Sequence, residues 1–160
     1  MSQYIGPRLF HAVTGTFTYI AGQVAGTIAL HRAAVDQTTV VTIPIILPSN
    51  SIGLQGAKLT SIEVDYEILT AEPTSITWTL NKVTRGLDTA VAVVTAVTKT
   101  DTLAAAGAKT VDQHKQVLTL TMPIWLDNDE YLLVQASMVA GAGGNTSDFL
   151  GAVVNYTARM

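Results

Sequence analysis

Cysteine is absent from the 160 residues. That excludes disulfide staples, thiolate nucleophiles and cysteine-ligated metal sites. Charge is scarce too: Asp, Glu, Lys and Arg together make up 13% of the chain, about half the usual share. The nine basic residues are scattered, no two adjacent, and the net charge is −3. A nucleic-acid partner needs a clustered basic stripe, so none is expected. No apolar run approaches the roughly 18 residues of a membrane-crossing helix, so no membrane partner is expected either. The opening Met-Ser-Gln-Tyr-Ile-Gly-Pro-Arg lacks the basic-then-apolar order of a secretory leader. The expectation is a protein made in the cytoplasm without a signal peptide. Aromatic residues are only 6%, so the few that occur stand out as packing anchors or ligand platforms.

Threonine, alanine, glycine and valine fill the gap. There are 23 threonines, a β-branched residue whose hydroxyl can face water from a pleated surface. The clearest segment is Thr60 to Leu69, in which Ile62, Val64, Tyr66 and Ile68 alternate with Ser61, Glu63, Asp65 and Glu67. A period of two marks a half-buried antiparallel strand. Ser75 to Lys82 repeats it with Ile76, Trp78 and Leu80, and Thr70 to Thr74, with Pro73, predicts a hairpin between the two.

Further strands are predicted over His114–Met122, ended by Pro123, over Tyr131–Ala140, and over Phe149–Arg159. The last of these places Leu150, Ala152, Val154, Tyr156 and Ala158 on one face. Thr38–Leu47 reads as a strand that Pro44 restricts to a sheet edge or a bulge. Leu9–Ile20 and Ala90–Val97 are weaker strand segments. Residues 21–35 have no firm period, and Thr102–Ala108 reads as a helical turn or an alanine-rich loop. About eight strands with frequent turns and no amphipathic helix predict an all-β fold: an antiparallel β-sandwich, jelly-roll-like, with an N-terminal arm. Residues 1–35 form the arm or first strands, with possible oligomer contacts, and 36–160 form the sandwich.

Reactive constellations are sparse. His11, His31 and His114 lack the spacing of metal ligands, and no phosphate loop or nucleophile elbow is present. Glu63, Asp65 and Glu67 stand about 7 Å apart on alternate strand positions, a span that suits a carboxylate pair. They are equally the wet face of a half-buried strand. Asp127-Asn128-Asp129-Glu130 offers hard oxygens, but without the glycine and closing glutamate of a calcium loop it reads as a turn. No cofactor, no metal and no catalytic residue is expected. Trp78 falls among buried alternation. Trp125, between Pro123 and Asp127, is the candidate ligand platform.

Four stretches carry a resemblance: Gly56 to Ile62, Ser75 to Leu80, Leu126 to Tyr131 and Asp148 to Arg159. Together they resemble small β-sandwich virion structural proteins of tailed bacteriophages, of the head-decoration or cement type. The resemblance implies a non-enzymatic capsid decoration subunit, located in the virion. It would assemble as a homo-oligomer, commonly a homotrimer, on a capsid protein, and clamp neighbouring capsomers. Residues 1 to about 35 would then be an assembly arm, with Tyr4, Ile5, Leu9, Phe10, Phe17 and Tyr19 as partner contacts; the same residues could instead dock on their own sandwich. Alternatives are a carbohydrate-binding or receptor-binding sandwich of a phage fibre or tail that uses Trp125, and a capsid or minor tail subunit.

Overall fold

The computed structural model describes residues 1–22, 27–35, 37–47, 56–86, 91–104, 106–127, 129–141 and 143–159. Twelve strands fall among them: β1 (Ser2–Ile5), β2 (His11–Thr14), β3 (Phe17–Ala21), β4 (Ile28–Val35), β5 (Thr38–Ile45), β6 (Gly56–Ile68), β7 (Ser75–Thr84), β8 (Val93–Ala96), β9 (Lys99–Asp101), β10 (Gln113–Trp125), β11 (Glu130–Val139) and β12 (Asn145–Arg159). Among these residues helix is confined to two 3-10 turns, Pro7–Leu9 and Gly107–Lys109. The larger sheet has the order β3-β4-β12-β6-β10-β9, with β1 also on β12; the smaller is β2-β5-β11-β7-β8. Every pairing is antiparallel, and the two sheets form a β-sandwich of jelly-roll type.

Alternation builds both inner faces. Ile62, Val64, Tyr66 and Ile68 of β6 are buried, while Glu63, Asp65 and Glu67 point away from the core on the opposite side of the strand. From the smaller sheet Ile76, Trp78, Leu80, Leu132, Val134, Ala136 and Met138 meet them in one core. The rings of Tyr66 and Trp78 lie 5.3 Å apart across the sandwich. Tyr66 also packs near Phe149 and donates its hydroxyl to the Ala108 carbonyl at 2.5 Å, so the 3-10 turn there caps the interior. Burial raises the Tyr66 phenol well above its ordinary value.

Several expectations change. Thr70–Thr74 does not close a hairpin, because β6 lies between β12 and β10 in one sheet while β7 lies between β11 and β8 in the other. Five residues suffice to cross the roughly 10 Å between packed sheets. Pro123 does not end its strand: β10 continues to Trp125, and the register with β6 slips between Thr119 and Ile124. In β12 a second slip, between Phe149 and Gly151, breaks the proposed single face. Phe149, Ala152 and Val154 are buried, whereas Leu150 lies on the bulge. Pro44 has β11 on one side, and β2 stops opposite Thr42, so the proline sits where its missing N–H is tolerated. Residues 1–22 and 27–35 supply β1 to β4, which enter both sheets. Gly15, with φ +105°, turns the chain from β2 in the smaller sheet to β3 in the larger; a Cβ there would stand 2.3 Å from a Thr39 methyl carbon. Outside the described residues lie 23–26 of the stretch without a firm period, position 36 at the boundary between arm and sandwich, and positions 90 and 105 of the two weaker segments.

A buried polar knot closes one end of the sandwich. Arg32 of β4 is fully buried. It donates to the Thr39 hydroxyl of β5 at 2.8 Å, to the carbonyl and to Oδ1 of Asn145 on β12, and to the Gln37 carbonyl at 3.1 Å. Asn145 Nδ2 in turn reaches Met138 Sδ of β11 at 3.4 Å. The knot therefore ties both sheets. Desolvation lowers the Arg32 pKa from its ordinary value, although a guanidinium remains charged in proteins. Elsewhere in the interior Gln116 is fully buried, and its amide has no hydrogen-bond partner; the Trp78 indole N–H has none either.

Two thermal-melt outcomes follow from these contrasts. Arg32→Met strands the buried acceptors of Asn145 and the Thr39 hydroxyl, at about 1–3 kcal/mol each, so Tm should fall by at least about 5 °C. Gln116→Met removes an unpaired amide and keeps the length, so Tm should rise by about 2–6 °C. A melt showing Arg32→Met neutral, or Gln116→Met strongly destabilising, contradicts this account of the interior.

Candidate functional site

At the end of the sandwich away from the Arg32 knot, the chain leaves β8 in the smaller sheet and enters β9 in the larger. The Val97 amide donates to Leu80 of β7 at 2.8 Å, and the Thr98 carbonyl accepts from Thr121 of β10 at 3.1 Å. This crossing forms one wall of a cleft of about 360 Å³ lined by Lys82, Thr95, Ala96, Val97, Thr98, Met122, Ile124 and Trp125. The opposite wall is the segment of β10 past its register slip. Ile124 pairs with the buried Leu59 and packs against the core, and Trp125 pairs with Lys58 at the rim. Trp125 is half-buried, and Met122 is 74% exposed. Trp78, by contrast, is in the core at 6% exposure.

Lys82 sets the electrostatics of the cleft. It lies opposite Leu132, so its side chain leaves β7 toward the space between the sheets. Its ammonium meets Glu130 Oε1 at 2.5 Å. Glu130 also accepts from the Thr84 hydroxyl at 3.3 Å and, through Oε2, from the Asp127 amide at 3.1 Å. Burial pushes the Glu130 carboxyl up, but Lys82, the Asp127 amide and Thr84 together outweigh it, and the net pKa is below the ordinary value. The acidic turn is thus organised around its own glutamate. Asn128 lies outside the described residues, and among the described residues no three acids or histidines gather as a metal site.

The carboxylate row of β6 lies on the outward face of the larger sheet. Glu63 accepts from Asn155 Nδ2 at 2.8 Å and from Lys115 at 3.3 Å. The Asn155 bond leads in holding its pKa low, against a smaller desolvation. Asp65 is raised, first by burial, with Lys115 opposing and Glu63 adding. A shallow hollow beside it is lined by Tyr4, Asp65, Gln113, His114, Lys115 and Leu150. Tyr4 lies over Gly151, where a Cβ would come within 2.6 Å of the tyrosine hydroxyl oxygen. The three histidines stay apart: His31 Nδ1 is 2.6 Å from Asp148, His114 Nε2 is 2.7 Å from the Thr110 carbonyl, and His11 is on the exposed strand β2.

The arm residues divide. Ile5 and Phe10 are buried in the chain's own core, and Phe17 packs against it. Tyr4, Leu9 and Tyr19 are more than half exposed.

A third surface escaped the sequence reading. Along the three central strands of the smaller sheet the outward positions are Thr38, Val40, Thr42 and Pro44 on β5, Leu133, Gln135, Ser137 and Val139 on β11, and Ser75, Thr77, Thr79 and Asn81 on β7. None is charged. The Thr77-Thr79-Asn81 alternation was visible in the sequence, but only the strand order joins it to β5 and β11 as one face. Likewise Lys82, Thr95, Thr98 and Met122 carry no shared sequence signal, because the crossing between sheets is what gathers them.

No protein-family model matches the chain, and no curated protein matches it. Among solved structures, a family 35 carbohydrate-binding module from Clostridium thermocellum aligns at 12% identity over 95% of this chain and 97% of that one, with TM-score 0.48. A family 11 carbohydrate-binding module from Clostridium thermocellum, in complex with a β-1,3-1,4-mixed-linked tetrasaccharide, aligns at 8% identity over 96% and 94%, with TM-score 0.46. A carbohydrate esterase from the Shiga toxin-encoding bacteriophage phi24B aligns at 11% identity over 91% and 88%, with TM-score 0.40.

The Lys82–Glu130 pair makes a pH prediction. A carboxyl whose folded pKa is below its unfolded value stabilises the fold above about pH 4.3, and that contribution is lost as pH falls through the folded value. Glu130→Gln should lower Tm at pH 7 and show a shallower further decline than the parent between about pH 4 and pH 2. Parallel acid limbs for the two proteins would show that Glu130 contributes nothing through its charge.

Proposed function

We propose that this chain is a non-catalytic binding module that holds a saccharide in the cleft between the β8–β9 crossing and the end of β10. The observation that carries the reading is the cleft's composition. Sugars present C–H faces and hydroxyl edges together, so their sites combine an apolar or aromatic wall with a few hydrogen-bonding groups. Here Trp125, Met122 and Ile124 supply the first, and Thr95, Thr98 and Lys82 the second. A volume of about 360 Å³ falls within the range of small-ligand sites. Lys82 reaches the cleft already held by Glu130, so little side-chain freedom remains to be lost on binding. Val97 in one wall and Ile124 in the other are packed against the core, so both walls are firmly backed.

A second reading, a virion structural subunit that self-associates on a capsid, is supported by a different observation. The uncharged outward face of the smaller sheet suits burial against protein, since no ammonium or carboxylate there would have to lose its water.

A glycan array followed by calorimetric titration of any hit tests the first reading. Trp125→Ala should weaken the measured affinity at least tenfold, the scale of one aromatic contact. Lys82→Met should weaken it less. No hit at millimolar glycan, or a hit indifferent to Trp125→Ala, overturns the proposal.

A further inference from the structure

We infer that the outward face of the five-stranded sheet is an interface between two copies of this chain, stacked sheet against sheet about a two-fold axis. This rests on the assembly reading above and is independent of the saccharide cleft. Three observations point to a second copy as the occupant.

The first is the segregation of charge between the two broad faces. The outward side of β6 alone carries Glu63, Asp65 and Glu67, and β12 and β10 add Asp148 and Lys115. The twelve central outward positions of the other sheet carry no charge. A chain with 21 charged residues has kept them off one whole face, where each would be costly to bury without a partner.

The second is self-complementarity. A two-fold axis brings each side chain against its own kind or its neighbour's. Thr79, Gln135, Ser137 and Asn81 each offer a donor and an acceptor, so such meetings can be satisfied in either direction. Val40 and Leu133 supply apolar contact between them. The opposite face would set carboxylate against carboxylate.

The third is size. Five strands at about 4.8 Å span roughly 24 Å, and the outward positions of β11 from Tyr131 to Val139 cover roughly 27 Å at about 3.4 Å per residue. Because the edge strands β2 and β8 are only four residues long, the flat face is roughly 520 Å², and side-chain relief brings it toward the roughly 800 Å² per partner of a stable interface. Sheets packed face to face in this way lie about 10 Å apart and cross at about −30°.

Light scattering after size exclusion, with the whole chain at 10–100 µM, tests the inference. The expected mass is twice 16.9 kDa. Thr79→Lys with Gln135→Lys should halve that mass while the circular dichroism spectrum stays unchanged. Thr100→Lys with Thr119→Lys, the same charge placed on the exposed outward side of the larger sheet, should leave the dimer intact. If the double variant fails to fold, Thr77→Lys alone, at an exposed position, replaces it and should raise the dimer dissociation constant at least tenfold. A monomer at 100 µM overturns the inference, as does a trimer, or an oligomer indifferent to lysines on this face. Trp125→Ala in the same assay should keep the dimer, so loss of glycan binding and loss of assembly are scored separately.

Discussion

The arrangement of this molecule depends on one fully buried guanidinium. Arg32 reaches from the larger sheet to a hydroxyl of the smaller and to the first residue of β12. A β-sandwich is held together chiefly by apolar contact, which is strong but does not fix how the sheets are set against each other. A charged group with several directed bonds does fix it, because any slip would leave the charge buried and unpaired. The cleft lies at the far end of the same strands: Met138, beside the knot, and Glu130, beside the cleft, mark opposite ends of β11, roughly 27 Å apart at strand rise. Pinning one end defines the mouth at the other.

Each broad face then takes a separate character. The larger sheet shows water its ion pairs and carboxylates. The smaller shows hydroxyls, amides and aliphatic groups. Between them, at one corner, the passage from β8 to β9 opens a recess that belongs to neither face. The recess shares β7 with the uncharged sheet and β10 with the charged one. On β7, however, it takes the inward-turned Lys82 and not the outward Thr77, Thr79 or Asn81, so a ligand in the recess and a protein on the uncharged sheet need not compete.

Much of the fold was legible in the sequence because burial on one side of a strand imposes a period of two. The β6 segment reads directly, as do β7, β10 and β11. Pairing did not read, because alternation says which residues face inward but not which sheet a strand joins; the supposed hairpin at Pro73 failed for that reason. Bulges also defeat periodicity. The slip at Phe149–Gly151 sends Leu150 off the face expected for it, and the slip after Thr119 lets β10 run past Pro123. About eight strands were expected and twelve fall among the described residues. β1 and β9, of four and three residues, are too short to show a period. Leu9–Ile20 holds two strands, β2 and β3, where one was read, and β4 (Ile28–Val35) lies in an alanine-rich stretch whose sequence shows no firm alternation. Trp125 was found by its isolation among turn residues. Its companions in the cleft come from three separate strands and a crossing, and nothing local marks them.

The position of β12 has a consequence for how the chain acquires its shape. This strand is drawn from residues 145–159, yet it sits in the middle of the larger sheet, flanked by β6 on one side and by β4 and β1 on the other. During synthesis β6 must wait with an open edge while roughly eighty further residues leave the ribosome, at about 5–20 residues per second. Its exposed ladder and apolar face are then open to wrong partners, and the three carboxylates along its other side supply repulsion between nascent chains over that interval.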